Sequence, residues 1–203
     1  MPLITLASRL VLSVGASTFT VMPANPGVDL GADTAAAAFA EALLAAGPRP
    51  ELADGLSLFA PLIGSWSLRV FDYGPGGEVS ESSAEWHFSW VLDGRAVADV
   101  WINPSRPDRG PGRDGEWGLS VRFYDPSLGA WRSTWHGPKK GWVIPFVARA
   151  SDEGIVLAGR RDDVDLRWIF SEITADSFRW RAEETGPDGH TFVRQRFEAA
   201  RIR

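Results

Sequence analysis

The chain of 203 residues contains no cysteine. That rules out a disulfide framework and a thiolate zinc site. Histidine is scarce, with three residues at 87, 136 and 190. Their wide separation gives no spacing that would converge on a metal, so neither a metal nor a haem ligand set is expected. His190, near the C-terminus, is the one to test for haem. Positive charge is also short: 21 Lys and Arg stand against 26 Asp and Glu, for a net charge of −5. Non-specific nucleic-acid binding needs a basic face, so nucleic acid is excluded as a partner. No long apolar run is unbroken. Residues 3–22, LITLASRLVLSVGASTFTVM, are interrupted by Arg9, Gly15 and several Ser and Thr. They lack a basic leader before the apolar stretch and a small-residue cleavage site after it. The expectation is a loosely ordered extension or a mis-assigned start, with no membrane span, in a cytoplasmic protein.

What the chain does have is tryptophan, ten residues of it, with eleven phenylalanines. Tryptophan on bare surface is unfavourable, so most of these rings belong in a core, a pocket or an interface. Hydrophobic content of 44% and charged content of 23% are those of a globular chain that can fill a core.

Residues 34–46 carry a helical pattern. Asp33 or Thr34 can cap its start, Gly47 can close it, and Pro48 and Pro50 stop it. Ala36, Phe39, Ala40, Leu43 and Leu44 share one face, which is expected to pack on the rest of the chain. The division expected is an N-terminal extension over 1–55 and a barrel domain over 56–203.

From Trp66 onward the pattern changes to short alternating segments. Candidate strands are 65–73, 84–92, 95–102, 117–125, 130–136, 142–149, 154–160, 164–172, 177–184 and 190–198. Turn residues separate them: GPGG, DG, DPSLG, SDEG, DD, TADS and GPDG. Sequential strands with short connections read as an all-β, up-and-down antiparallel β-barrel of about 9–10 strands with one N-terminal helix. The one long break, 103–116, is rich in Pro, Gly and Arg and reads as a mobile loop at one mouth.

Asp93-Gly94 is a strong two-residue hairpin signal. Pairing Leu92 with Arg95 sets Trp90 opposite Val97, Phe88 opposite Asp99 and Trp86 opposite Trp101, all on one face. His87, Ser89 and Val91 fall on the other face. A lone carboxylate on the aromatic face needs a partner, and Arg122 or Arg132 can supply one. The turn PSLG likewise sets Tyr124 opposite Trp131 and Arg122 opposite Ser133, with Trp135 further along.

These residues resemble a known pattern. Gly64 and Trp66 in LIGSW are similar to the Gly-x-Trp start of lipocalin- and calycin-type barrels. The string LDGR…DVW, then FYDP…WR…W, then RW…F resembles a family of bacterial lipocalin-like barrels with no assigned reaction, over about residues 60–200. The resemblance implies an up-and-down barrel with an apolar cavity. It points to Asp99, Trp101, Tyr124, Trp131, Arg132, Trp135, Arg167 and Trp168.

Three functions are compatible with this reading. The first is binding of a small apolar or aromatic ligand by Trp90, Asp99, Trp101, Arg122, Tyr124, Trp131, Trp135 and Trp168, without a cofactor. The second is a cyclase, isomerase or hydrolase on a hydrophobic metabolite, with Asp99 as base and Tyr124 or an arginine stabilising an oxyanion. The third is a structural homodimer whose tryptophans fill core and interface.

Overall fold

A computed structural model describes residues 34–203 except Arg113; the apolar stretch at 3–22 and the candidate cap Asp33 lie outside the described residues. Helix α1 (Thr34–Leu43) is followed by a short helix α2 (Ala53–Leu56) and a 3-10 segment over Ser57–Leu62. Ten strands follow: β1 (Gly64–Tyr73), β2 (Val79–Val91), β3 (Ala96–Asn103), β4 (Glu116–Asp125), β5 (Ala130–Gly137), β6 (Trp142–Ser151), β7 (Gly154–Arg161), β8 (Val164–Ser171), β9 (Ser177–Thr185) and β10 (Thr191–Arg201). Each pairs antiparallel with its chain neighbours. The ring closes where β1 meets β10, with Trp66 opposite Arg201. Closure leaves no unpaired strand edge. The all-β, up-and-down barrel expected from the alternation is the fold observed.

The register follows the turns. Asp93 and Gly94 take φ of 57° and 70°, and the Arg95 N–H donates to the Leu92 carbonyl at 3.2 Å. Left-handed residues at the two central positions match the right-handed twist of a hairpin, which is why Asp-Gly suits this corner; Leu92 before them is left-handed as well, with φ of 54°. Trp86 therefore faces Trp101, Phe88 faces Asp99, and Trp90 faces Val97. In the β4–β5 hairpin, Arg122 faces Ser133 and Tyr124 faces Trp131.

One end of the barrel is closed by the segment before β1. Leu56, Phe59 and Leu62 are at most 1% exposed and join the same core as the barrel strands. Phe59 packs edge-on against Trp131 with ring centroids 4.8 Å apart. The indole N–H of Trp66 donates to the Leu62 carbonyl at 2.8 Å, tying this plug to β1.

Two expectations need correction. The helix ends at Leu43 rather than 46. Leu44 forms a β-bridge with Val91, and the Ala45 N–H donates to the Trp90 carbonyl, so the backbone leaves the helix to pair with the hairpin. Its apolar face is only partly packed: Leu43 lies against Val91, Ala96 and Ala98, but α1 fully buries no residue and Phe39 is 67% exposed. The loop after β3, expected to be mobile, is fastened to the outer wall. Ser105 is buried and its N–H donates to the Ser83 carbonyl at 3.0 Å. The Arg106 guanidinium grips the Glu85 carboxylate at 2.6 and 3.0 Å.

Candidate functional site

Side chains alternate along each strand, so one residue in two points into the barrel. Two levels of that interior differ in chemistry. A step of two residues moves about 6–7 Å along a strand, enough to carry a side chain from one level to the next.

The plugged level holds most of the polar interior. Asp99 and Arg122 are each 1% exposed, and Arg122 Nη1 lies 2.5 Å from Asp99 Oδ2. The Trp86 indole N–H donates to Asp99 Oδ1 at 2.5 Å. The Arg122 guanidinium lies 4.8 Å from the centroid of Phe59 and 5.7 Å from that of Phe88. Burial pushes the Asp99 carboxyl above its ordinary range, against the opposing pull of Arg122, Trp86 and Ser120. Around this pair sit Trp131, 2% exposed, and Trp90, 7% exposed. Tyr124 is half-buried at the rim, where a Cβ on Gly55 would come within 2.6 Å of its ring.

The opposite level contains a cavity of about 90 Å³ walled by Trp86, Trp101, Trp135, Trp168, Trp180 and Phe197. Phe197 is sandwiched: Trp180 stacks on it at 4.3 Å and 14°, and Trp101 lies parallel to it at 5.8 Å and 17°. Trp168 contacts both Trp135 and Trp180 edge-on, at 5.7 and 5.5 Å. Gly118 makes room for this wall, since a Cβ there would fall 1.8 Å from the Trp135 ring. The Nε1 atoms of Trp101 and Trp180 are buried and have no hydrogen-bond partner among the described residues. Each such donor costs about 1–3 kcal/mol if left unpaired.

The mouth of this cavity is lined by Glu116, Lys140, Trp142 and Gln195. Lys140 lies 3.6 Å from Glu116, and Arg161 lies 3.4 Å from Glu184. Both cations sit over the Trp142 ring, Lys140 Nζ at 4.6 Å and Arg161 Cζ at 4.2 Å. Gln195 donates to Asp72 at 2.7 Å. The mouth is thus a ring of paired charges around one indole.

Of the eight residues expected to form a site, the cavity brings together Trp101, Trp135 and Trp168. The plugged level holds Trp90, Asp99, Arg122, Tyr124 and Trp131 instead. Arg132 faces outward and pairs with Asp125 at 2.7 Å. Arg167 also faces outward and bridges Glu153 and Glu183. The cavity adds Trp86, Trp142, Trp180 and Phe197, which the sequence reading did not place in a site. The signal for Trp180 and Phe197 was their alternation within β9 and β10. What was missing was their height in the barrel, which depends on how all ten strands are staggered.

Elsewhere, His87 on the outer wall of β2 contacts Ser65 Oγ at 2.9 Å and Glu85 at 3.1 Å. Burial alone would push Glu85 up. The Arg106 guanidinium and backbone N–H, with His87, override it and hold the carboxyl at about 2. No group of three or more His, Asp or Glu side chains among the described residues is placed to hold a metal ion. Larger hollows of about 400–500 Å³ lie on the exterior, one of them bounded by outward-facing Phe71, Arg179, Arg181 and Arg196.

No family model matches this chain, and no curated protein does. Solved structures do. The S-type phycobiliprotein lyase CPES from Guillardia theta aligns with a TM-score of 0.52 at 13% identity, over 77% of this chain and 99% of that one. Rv2717c from M. tuberculosis aligns with a TM-score of 0.56 at 17% identity, over the same shares. These likenesses show the fold: a lipocalin-like barrel. No helix among the described residues is long and apolar enough to cross a membrane.

Proposed function

We propose that the chain binds a small hydrophobic or aromatic molecule in the tryptophan-walled cavity at the unplugged end of the barrel. One observation carries this reading: six of the chain's ten tryptophans line a single cavity, counting Trp142 at its mouth. The plugged half is filled, with Trp66, Trp90 and Trp131 packed among Leu56, Phe59 and Leu62, whereas the indoles at the other end border a void. Concentrating indoles around a void gives flat, polarisable walls, the usual surface for an apolar ligand with a few directional contacts. The volume limits what fits. A dry apolar cavity of roughly 150 Å³ accommodates benzene, so about 90 Å³ takes the edge of one ring, with the remainder of a larger ligand lying between Lys140, Trp142 and Gln195.

The site residues we propose are therefore Trp101, Trp135 and Trp168 from the sequence reading, joined by Trp86, Trp142, Trp180 and Phe197. Asp99 and Tyr124 receive no chemical role in this reading. Asp99 is occupied by Arg122 and Trp86, below the cavity floor. A solved neighbour of the same fold is by name a phycobiliprotein lyase, which agrees with a ligand-handling barrel; the ligand class for this chain has to come from its own walls. The test is a titration of intrinsic tryptophan fluorescence with planar aromatics, fatty acids and haem, with solution mass followed on the same sample. Saturable quenching by one class, weakened in Trp168→Ala, is expected. Absence of saturable change with every class, together with a homodimer mass, would transfer the tryptophans to core and interface roles.

A further inference from the structure

Away from the cavity, three side chains on the outer wall form a continuous hydrogen-bond chain. Ser65 on β1 and His87 on β2 are paired in register, so they stand side by side on the outer face. Glu85 lies two residues before His87 on that same face. Ser65 Oγ is 2.9 Å from His87 Nδ1, and Glu85 Oε2 is 3.1 Å from His87 Nε2. Hydroxyl, imidazole and carboxylate in this order are the parts of an activated nucleophile, which is recognised by geometry and roles rather than by fold.

The partners decide where the protons sit. An ionised carboxylate only accepts, so Nε2 carries the ring proton and Nδ1 is left to accept the Ser65 hydroxyl. Glu85 is fixed in its charged form. Its side chain is 9% exposed, and the Arg106 guanidinium donates to both of its oxygens and holds the carboxyl at about 2. Arg106 Nη2 also approaches Nε2, at 3.4 Å, farther than Glu85 does. On its other side the strand partner of His87 is Val100, which carries no charge. Ser67, two residues along β1, gives the contrast. Its hydroxyl donates to the Ala200 carbonyl at 3.2 Å, and its partner across β2 is Glu85 rather than a histidine.

We propose that Ser65 is a chemical site of this chain, a serine activated by His87 to take the acyl group of a small activated ester or thioester. Ser65 Oγ attacks the acyl carbon while its proton passes to His87 Nδ1, and the Glu85 carboxylate stabilises the imidazolium. The bond to the leaving group then breaks, and the departing oxygen or sulfur takes the proton from His87. With the His87 side chain 30% exposed on the outer wall, the pair is reached from solvent. A donor bound so openly gains little binding energy and has to bring its own reactivity, which is why the class is an activated one. No residue of the cavity takes part, so this inference and the cavity reading stand or fall separately.

The test treats the full chain with a fluorophosphonate, which a serine of this kind attacks with loss of fluoride, and reads the rate of addition at each serine by peptide mass. A positioned general base is worth about 10²–10⁴-fold, so Ser65 is expected to react at least tenfold faster than Ser67. That advantage should be lost in His87→Gln and on acidification from pH 8 to pH 5, as the imidazole takes a proton. Release of nitrophenolate from p-nitrophenyl acetate, which reads acyl transfer itself, should slow in Ser65→Ala. Equal labelling of Ser65 and Ser67, or a Ser65 rate indifferent to pH, would overturn the proposal. So would nitrophenolate release unchanged in Ser65→Ala, which would move the attack to His87 or to lysines. The comparison of the two serines and the pH dependence are read on the unmodified chain, so neither depends on a variant folding.

Discussion

Arg122 and Asp99 show what one buried pair demands of its neighbours. Each is 1% exposed, and the guanidinium is enclosed by Phe59 and Phe88. Removing both charges from such a place costs little, because the attraction mainly repays the loss of water. Removing one leaves an uncompensated charge and costs about 3–5 kcal/mol. Asp99→Asn is therefore expected to lower unfolding free energy by that amount in a denaturant titration, and the double variant Asp99→Asn/Arg122→Met should recover most of it. If Asp99→Asn left stability unchanged, the carboxylate would not be neutralising Arg122. At this scale the sequence was informative: an Asp on an aromatic face needed hydrogen bonds or a cationic partner, and an ion pair with an arginine one strand over was one of the roles open to it beside ligand contact and catalysis. It could not say whether Arg122 or Arg132 was the partner. That choice follows from alternation within β4 and β5, which points Arg122 inward and Arg132 outward to Asp125.

At the level of elements, the β3–β4 loop behaves differently from its composition. Pro, Gly and Arg in 103–112 suggest mobility, yet Ser105 and Arg106 are held by Ser83 and Glu85 of β2. The lock is electrostatic and so depends on pH. Glu85 stands at about 2 in the folded chain against an ordinary 4.5. A carboxyl with a lowered folded value stabilises fully above the unfolded value and loses that contribution as pH falls towards the folded one. Glu85→Gln should therefore unfold at lower denaturant concentration than the native chain at pH 6, and the gap should close as the pH is taken below 4. A gap that persisted undiminished at pH 3 would mean the loop is held by something other than the Glu85 charge. The loop's attachment was not legible in sequence, because Glu85 and Arg106 are 21 residues apart and meet only once β2 and β3 have paired. Helix α1 erred in the other direction: its apolar periodicity was real, but the barrel offered it no apolar partner beyond the β2–β3 corner.

For the whole molecule, the plug and the barrel share one core. Leu56, Phe59 and Leu62 belong to the same packed cluster as Trp66, Trp131 and Phe170. Residues 56–62 should accordingly unfold together with the strands, in one transition. Tryptophan emission, which samples both interior levels, and far-ultraviolet circular dichroism, which samples the sheet, are expected to give superimposable denaturation curves. An early emission change preceding loss of the sheet would show that the plug is released independently. The same arrangement divides the interior, with a filled polar-and-aromatic half beneath the plug and an indole-walled void beyond it.

The sequence by itself determined the ten strands, their order and the register of two hairpins. Those depend on period-two alternation and on turn residues such as Asp93-Gly94, which act over a few residues. It also determined which side chains of a strand share a face. The tertiary structure decided which of the inward residues meet. Trp101 and Asp99 are two residues apart on one face of β3, yet one walls the cavity and the other lies under the plug. Trp180 and Phe197 reach Trp101 only because closing β1 onto β10 brings β9 and β10 round to β3. Height and opposition across a barrel depend on the stagger and closure of all its strands together, and no local pattern contains that information.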